Sequence, residues 1–128
     1  MYPLYVISAD CDGLKAINDT YGHTIGDELI RLTASLFRVG LPEKAVIFRM
    51  GGDEFFAIIP NTTQEECKKY IDNMNEVSKA LLLKGNPICL SFGFCEVQSA
   101  SMSLMQAMDI SDKRMYMEKN TKSAERNV

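Results

Sequence analysis

Two acids stand side by side in "FRMGGDEFFAII", residues 48–59, directly behind two glycines and between two apolar runs. A tight turn uses the glycines but has no need of both Asp53 and Glu54. A third acid, Asp10, closes the apolar run "LYVISA" near the start of the chain. Carboxylates from two distant segments, if brought together, can share divalent cations, which favour hard oxygen donors and phosphate. Whether these three meet depends on the elements that carry them.

The run from Leu4 to Ala9 reads as a buried strand, and "DCDGLKAINDTYGH" reads as a polar, loop-like stretch with one short helical turn. Ile25, Leu29, Leu32 and Leu36 recur at helical spacing, with Thr24 and Asp27 as a capping pair. "AVIFRM" and "EFFAIIP" make a hairpin about Gly51-Gly52. Thr63 and Glu66 form a capping box. The helix behind it carries Cys67, Tyr70, Ile71, Met74, Val77, Ser78 and Leu81 on one face and stops at Gly85. "PICLSFGFCEV" is another strand, and a last helix from about Ser103 to Glu118 keeps Leu104, Met108, Ser111 and Met115 in register.

The order β-α-β-β-α-β-α belongs to the α+β class. Its compact solution is a ferredoxin-like antiparallel sheet, first and third strands central, plus a C-terminal helix. That topology sets Asp10 beside Asp53 at one rim of the sheet. "LYVI" and "EFFAII" are apolar on both faces, so both faces of the sheet are expected to be covered. Three helices leave the second face short of cover.

A chain of 128 residues supports one core and one domain. Its 46% apolar and 24% charged content excludes wholesale disorder. A net charge of -3 argues against a nucleic-acid partner, although a few lysines and a cation suffice for a single nucleotide. Cys11, Cys67, Cys89 and Cys95 lack zinc-type spacing and are too sparse for a disulfide scaffold. They read as reduced packing residues of a cytoplasmic protein. No apolar run approaches the roughly 20 residues of a membrane helix, and no signal peptide is visible, so no direct membrane contact is expected. His23 reads as a structural loop residue, and Met102, Met105, Met108, Met115 and Met117 as core or interface filler in the last helix.

Four blocks in order, "DCDGLKAINDTYGHTIGDELI", "RMGGDEFF", "SFG" and "SDKRMYMEK", resemble the successive motifs of the GGDEF family of diguanylate cyclases. They span Asp10 to Lys119. The resemblance implies a nucleotidyl-cyclase, palm-like fold over residues 1–120, with 121–128 as a polar tail. It implies condensation of two GTP into cyclic di-GMP across a homodimer, with two Mg2+ per site (Mn2+ being an alternative). By the same resemblance Asp10, Asp53, Glu54 and the backbone carbonyl of Cys11 are the metal ligands, and Asp53 and Glu54 carry catalysis, Asp53 helping to deprotonate a ribose 3′-hydroxyl. Asn18 and Asp27 match the guanine-reading positions. Gly51 and Gly52 permit close approach of the nucleotide, and Lys15 and Lys119 match phosphate-binding lysines.

The chain also departs from that pattern. Ser123 stands where many relatives carry a second basic phosphate contact, leaving Lys122 or Arg126 to substitute. The Arg-x-x-Asp product-feedback site is replaced by Pro42 and Ala45, so no feedback site is expected. The family's N-terminal helix has no counterpart ahead of Met1-Tyr2-Pro3, which matches the face short of cover. The expectation is an N-terminally truncated catalytic domain, joined in its parent protein to an upstream sensor or dimerising segment. Two rival classes remain: a catalytically inactive GTP-binding regulatory module, and another nucleotidyl cyclase or polymerase-like palm built on the same sheet.

A carboxylate at position 27 accepts from guanine N1-H and the exocyclic amine, which adenine does not offer, so Asp27→Ala should lose GTP affinity preferentially over ATP. Equal loss for both nucleotides in a binding assay would refute that role.

Overall fold

The computed structural model describes residues 1–126, with side chains as far as Lys122. Its central strand, β1 (Leu4–Cys11), is buried along its whole length, because its alternating side chains enter two different cores. Tyr5, Ile7, Ala9 and Cys11 join Phe55, Ala57, Ile59, Leu90 and Phe92 in the larger core. α2 (His23–Gly40) contributes Leu29, Leu36 and Phe37 to it, and α3 (Gln64–Ser78) contributes Cys67 and Met74. Leu4 and Val6 point the other way, into a smaller core with Phe56, Cys95, Val97 and Ala107. Ala107 belongs to α4 (Leu104–Arg126), which covers this second face.

β2 (Val46–Met50), β3 (Glu54–Ile59) and β6 (Leu90–Val97) complete the sheet in the order β2-β3-β1-β6. Every pairing is antiparallel, so the first and third strands are central, as the element order requires. α1 (Leu14–Tyr21) follows β1, and a small hairpin of β4 (Leu82–Leu83) and β5 (Asn86–Pro87) precedes β6.

Several local expectations are corrected. The loop after β1 holds a two-turn helix, α1. α2 starts at His23 behind Gly22, with no side-chain cap, so Thr24 lies inside the helix and does not cap it with Asp27. Gly85 does not stop α3, which already ends at Ser78; its φ of +81° serves the β4-β5 turn. The capping box does form, with the Thr63 hydroxyl accepting from the Glu66 amide at 3.2 Å. Residues 121–126, read above as a polar tail, continue α4 as helix.

The second face is covered unevenly. α4 lies over β1 and β6, whereas Val46 and Met50 of β2 remain 58% and 51% exposed. The shortage of cover is confined to that margin.

What seats α4 is Gly93. A Cβ there would lie 2.1 Å from the carbonyl oxygen of Ser111 and 2.4 Å from the amide nitrogen of Met115. The helix backbone thus rests directly on the strand. α4 also closes the free edge of β6 with side chains at four-residue intervals. Arg114 donates to the Phe94 carbonyl at 2.7 Å, Glu118 accepts from the Phe92 amide at 2.6 Å, and Lys122 donates to the Leu90 carbonyl. Four helical residues advance about 6 Å and two strand residues about 6.6 Å, so the two repeats stay in step. An edge strand capped in this way offers no template for another chain.

Gly93→Ala should therefore lower unfolding free energy by about 3 kcal/mol, since rigid backbone lies opposite the added carbon. Urea denaturation measures this, and a loss within ~0.5 kcal/mol would show that α4 is seated by something else.

Candidate active site

Along the α4-facing side of β1, apolar Leu4 and Val6 give way to Ser8, Asp10 and then Asp12 as the strand reaches the rim. The facing side of α4 changes in parallel, from Ala107 to Asp112 and Lys119. Polar groups thus meet polar groups at one end of the interface. Ser8 Oγ donates to Asp112 Oδ1 at 3.3 Å, and Lys119 Nζ donates to Asp10 Oδ2 at 2.8 Å.

The β1-β3 register places Asp10 directly opposite Glu54. One residue earlier, at the hairpin tip, the Asp53 carbonyl accepts from the Cys11 amide at 3.2 Å. Asp10, Asp53 and Glu54 therefore gather at one rim with the Cys11 backbone passing between them. Gly51 turns the hairpin with φ +72°. Gly52 has no such need, and a Cβ there would meet nothing within 4 Å. Lys15 is exposed on α1.

Asn18 and Asp27 lie where α1 meets α2. Gly26 lets the Asn18 amide press against α2, since a Cβ at 26 would sit 1.7 Å from Asn18 Oδ1. Asn18 thus abuts the residue that precedes Asp27.

Three acids join the neighbourhood that were not singled out from sequence: Asp12, Asp112 and Glu118. Asp12 stands in the turn one residue past β1, held beside the start of β6 by its amide, which donates to the Cys89 carbonyl at 2.9 Å. Its carboxylate accepts from Ser91 Oγ at 2.9–3.0 Å and from Cys89 Sγ at 3.3 Å. It lies 4.0 Å from Lys119 Nζ and 3.9 Å from Lys122 Nζ. Asp112 and Lys119 are seven residues apart, close to two helical turns, and so share a face. Ser91 is thereby a hydrogen-bond donor to Asp12, in keeping with the absence of any nucleophile signature around it.

Lys122, named above as a substitute phosphate ligand, engages the Leu90 carbonyl, Glu118 and Asp12. Its ammonium fastens α4 to β6. The side chains of Ser123 and Arg126 lie outside the described residues.

Confinement of so many acids changes their ionisation. Burial, a hydrogen bond with Asp112 and the neighbouring charges push Glu54 up to about 8. Burial and Asp53 push Asp10 up to about 6 against the opposing pull of Lys119. Burial also works against the Lys119 ammonium, but Asp10, Asp12 and Asp53 more than offset it and raise its pKa.

Among the described residues no three histidine, cysteine, aspartate or glutamate side chains are already drawn together tightly enough to hold a metal ion. Magnesium at a nucleotide does not require that, since it takes one or two carboxylates and completes its shell with phosphate oxygens and water. The donor set fits such an ion. Asp10 Oδ1 is buried and has no hydrogen-bond partner, a cost that a cation would relieve. An apolar cleft of about 530 Å³ between α2 and α3, lined by Leu36, Val39, Met74 and Val77, includes none of the rim acids.

Glu54 and Asp10 hold protons in the folded chain over a range where the unfolded chain, near 4.5 and 3.8, has released them. Their contribution to stability is complete below those values and is lost as pH rises through about 6 and then about 8. In the presence of chelator, Glu54→Gln should therefore melt with a shallower decline between pH 5 and 8 than the unaltered chain. Parallel melting curves across that range would show that Glu54 is ordinarily ionised.

Comparison with known proteins agrees with this geometry. A family model described as "Diguanylate cyclase, GGDEF domain" matches residues 1–125. Diguanylate cyclase DosC of Escherichia coli is 29% identical over 121 residues, covering 91% of this chain and 26% of DosC. The chain thus spans about a quarter of the length of the curated relatives it matches there. Among solved structures, the active GGEEF domain of a diguanylate cyclase from Vibrio cholerae superposes with a TM-score of 0.85 at 27% identity, covering 93% of this chain and 78% of that one. The GGDEF domain of DgcB from Caulobacter crescentus, in complex with c-di-GMP, gives 0.84 at 26% identity, covering 92% and 72%. With the antiparallel sheet, the rim of acids and the matched span in agreement, the chain belongs to the GGDEF domain family.

Proposed function

We propose that this chain is a diguanylate cyclase, condensing two GTP into cyclic di-GMP with release of two pyrophosphates. The observation that carries the reading is the meeting of Asp10, Asp53 and Glu54 at one rim with Lys119 beside them. Each protomer holds one GTP, and two protomers meet face to face. The 3′-hydroxyl oxygen of one nucleotide bonds to the α-phosphorus of the other, and the bond to the β-phosphate breaks. Pyrophosphate leaves, and the hydroxyl proton passes to the Asp53 carboxylate. Repetition with the roles exchanged closes the ring.

Magnesium, when bound by Asp10, Asp53, Glu54 and the Cys11 carbonyl, supplies positive charge to the triphosphate and to the attacking oxygen. The chain's own groups do the rest. Asp27 and Asn18 orient guanine from the α1-α2 corner. Gly52, for which folding gives no reason, leaves room for nucleotide against the hairpin backbone. The first turn of α1 has no side-chain cap and opens at Gly13 beside the rim, so its amides suit a phosphate, as does Lys15. Lys119 bears on the triphosphate from α4. Fixed groups of this kind act chiefly by holding charge and orientation.

GTP supply places the chemistry in the cytoplasm, with an upstream segment of the parent protein setting how protomers meet. Pro42 and Ala45 are joined in a turn by a 2.9 Å backbone bond and offer no guanidinium or carboxylate, so the cyclic product does not restrain the enzyme there.

Incubation of concentrated protein with GTP and magnesium, followed by chromatography, should yield cyclic di-GMP. The rate per protomer should fall on dilution, and Asp53→Asn should lower it by roughly 10²-fold or more. GTP binding without product, in a folded and demonstrably dimeric sample, would leave the chain a GTP-binding regulatory module.

A further inference from the structure

Lys119 occupies an unusual place for a phosphate ligand. Its ammonium is 2.8 Å from Asp10 Oδ2, while the other oxygen of the same carboxylate, Oδ1, is buried and has no hydrogen-bond partner. A divalent cation approaches a carboxylate oxygen to about 2.1 Å. It and the ammonium would then stand on one carboxylate, a few ångströms apart, in a half-buried site where repulsion is poorly screened. Each therefore weakens the hold of the other.

A second acceptor lies within reach. Asp12 Oδ1 is 4.0 Å from the same nitrogen, so a small rotation at the end of the side chain exchanges one carboxylate for the other. Asp12 is built to keep its place. It is buried, just past the end of β1, takes the Ser91 hydroxyl at 2.9–3.0 Å, and has Lys122 at 3.9 Å on its other oxygen.

We infer that Lys119 is a resident counter-cation that a divalent metal must displace from Asp10, and that Asp12 is the positioning residue that receives the displaced ammonium. The inference rests on Asp10 being a metal donor. Its consequence is that metal alone binds weakly, since it must expel a cation. Metal with nucleotide binds cooperatively, because triphosphate oxygens take the ammonium that the metal releases. Asp12 touches neither substrate nor metal in this scheme; it holds Lys119 close to the rim between its two engagements.

The test needs no turnover. Mn2+ is titrated by electron paramagnetic resonance, without nucleotide, into the unaltered chain, Lys119→Met, Asp12→Asn, the double variant and Asp10→Asn. Lys119→Met should bind Mn2+ about tenfold more tightly, the loss of one charge-assisted contact that the ion otherwise has to break. Asp12→Asn should weaken Mn2+ severalfold while Lys119 is present and have little effect when it is methionine. Equal weakening in both backgrounds would mean that Asp12 acts only through its charge, and would overturn its role as acceptor. Unchanged affinity in Lys119→Met would overturn the displacement itself while leaving the metal site standing. If Asp10→Asn binds Mn2+ as well as the unaltered chain, the ion is not at Asp10, and both the metal reading and this inference fail. Lys119→Met leaves the Ser91 and Lys122 contacts of Asp12 in place, so it decides the displacement even if Asp12→Asn misfolds, and Asp12→Ser in the same two backgrounds then decides the acceptor role.

Discussion

Everything chemical in this protein hangs on the register of β1 against β3. Asp10 faces Glu54 only because Ile7 faces Ala57 and Ala9 faces Phe55 several residues deeper in the sheet. A slip of one residue would move each side chain of β1 to the opposite face. It would carry Tyr5 and Ile7 into the α4 core and turn Asp10 toward Phe37. The two-sided burial of β1 makes that slip prohibitive, since both of its faces meet apolar partners of different shape. Apolar packing at the middle of the sheet thus sets carboxylate geometry at its end.

At the rim the same packing works against electrostatic preference. Burial, and then the closeness of Asp10, Asp53, Glu54 and Asp112, raise the proton affinity of Asp10 and Glu54, with Lys119 bonded among them. Isolated in water these acids would separate. They are kept together because α4 is pressed onto β6 at Gly93 and fastened at Phe94, Phe92 and Leu90. Exposed ion pairs such as Lys69–Glu65 and Lys113–Asp109 add little by comparison. A chain that confines like charges at one end of its core accepts lower stability there, which is the usual condition of a site made to receive cations.

α4 is the element whose importance grows most between sequence and structure. It covers the second face, closes the β6 edge and delivers Asp112 and Lys119 to the rim. Its polar last turns read as a tail because they carry no apolar stripe. They are helical because Glu118 and Lys122 find their partners on a strand 26 and 32 positions earlier. The same non-local bonding gives Lys122 partners that its position in the chain did not suggest.

The order of the main elements (though not α1 or the small β4-β5 hairpin), the central placing of β1 and β3, and the approach of Asp10 to Asp53 and Glu54 were determined by the sequence alone. Period-two and helical spacing, together with the connection rules for a β-α-β-β-α-β chain, admit few other arrangements. The capping box at Thr63 was legible for the same reason, being a local bond between near neighbours. The start of α2 and the role of Gly85 were misread where several turn signals competed within a few residues. The parts played by Asp12, Asp112 and Lys122 were decided only by tertiary structure. Their partners, Ser91 for Asp12, Ser8 and Glu54 for Asp112, and Leu90 for Lys122, lie tens of residues away; the first pair meets only when β6 joins β1, and the others only when α4 docks. A hydrogen bond or a perturbed pKa belongs to the meeting of two surfaces, and spacing along one chain segment describes only one of them.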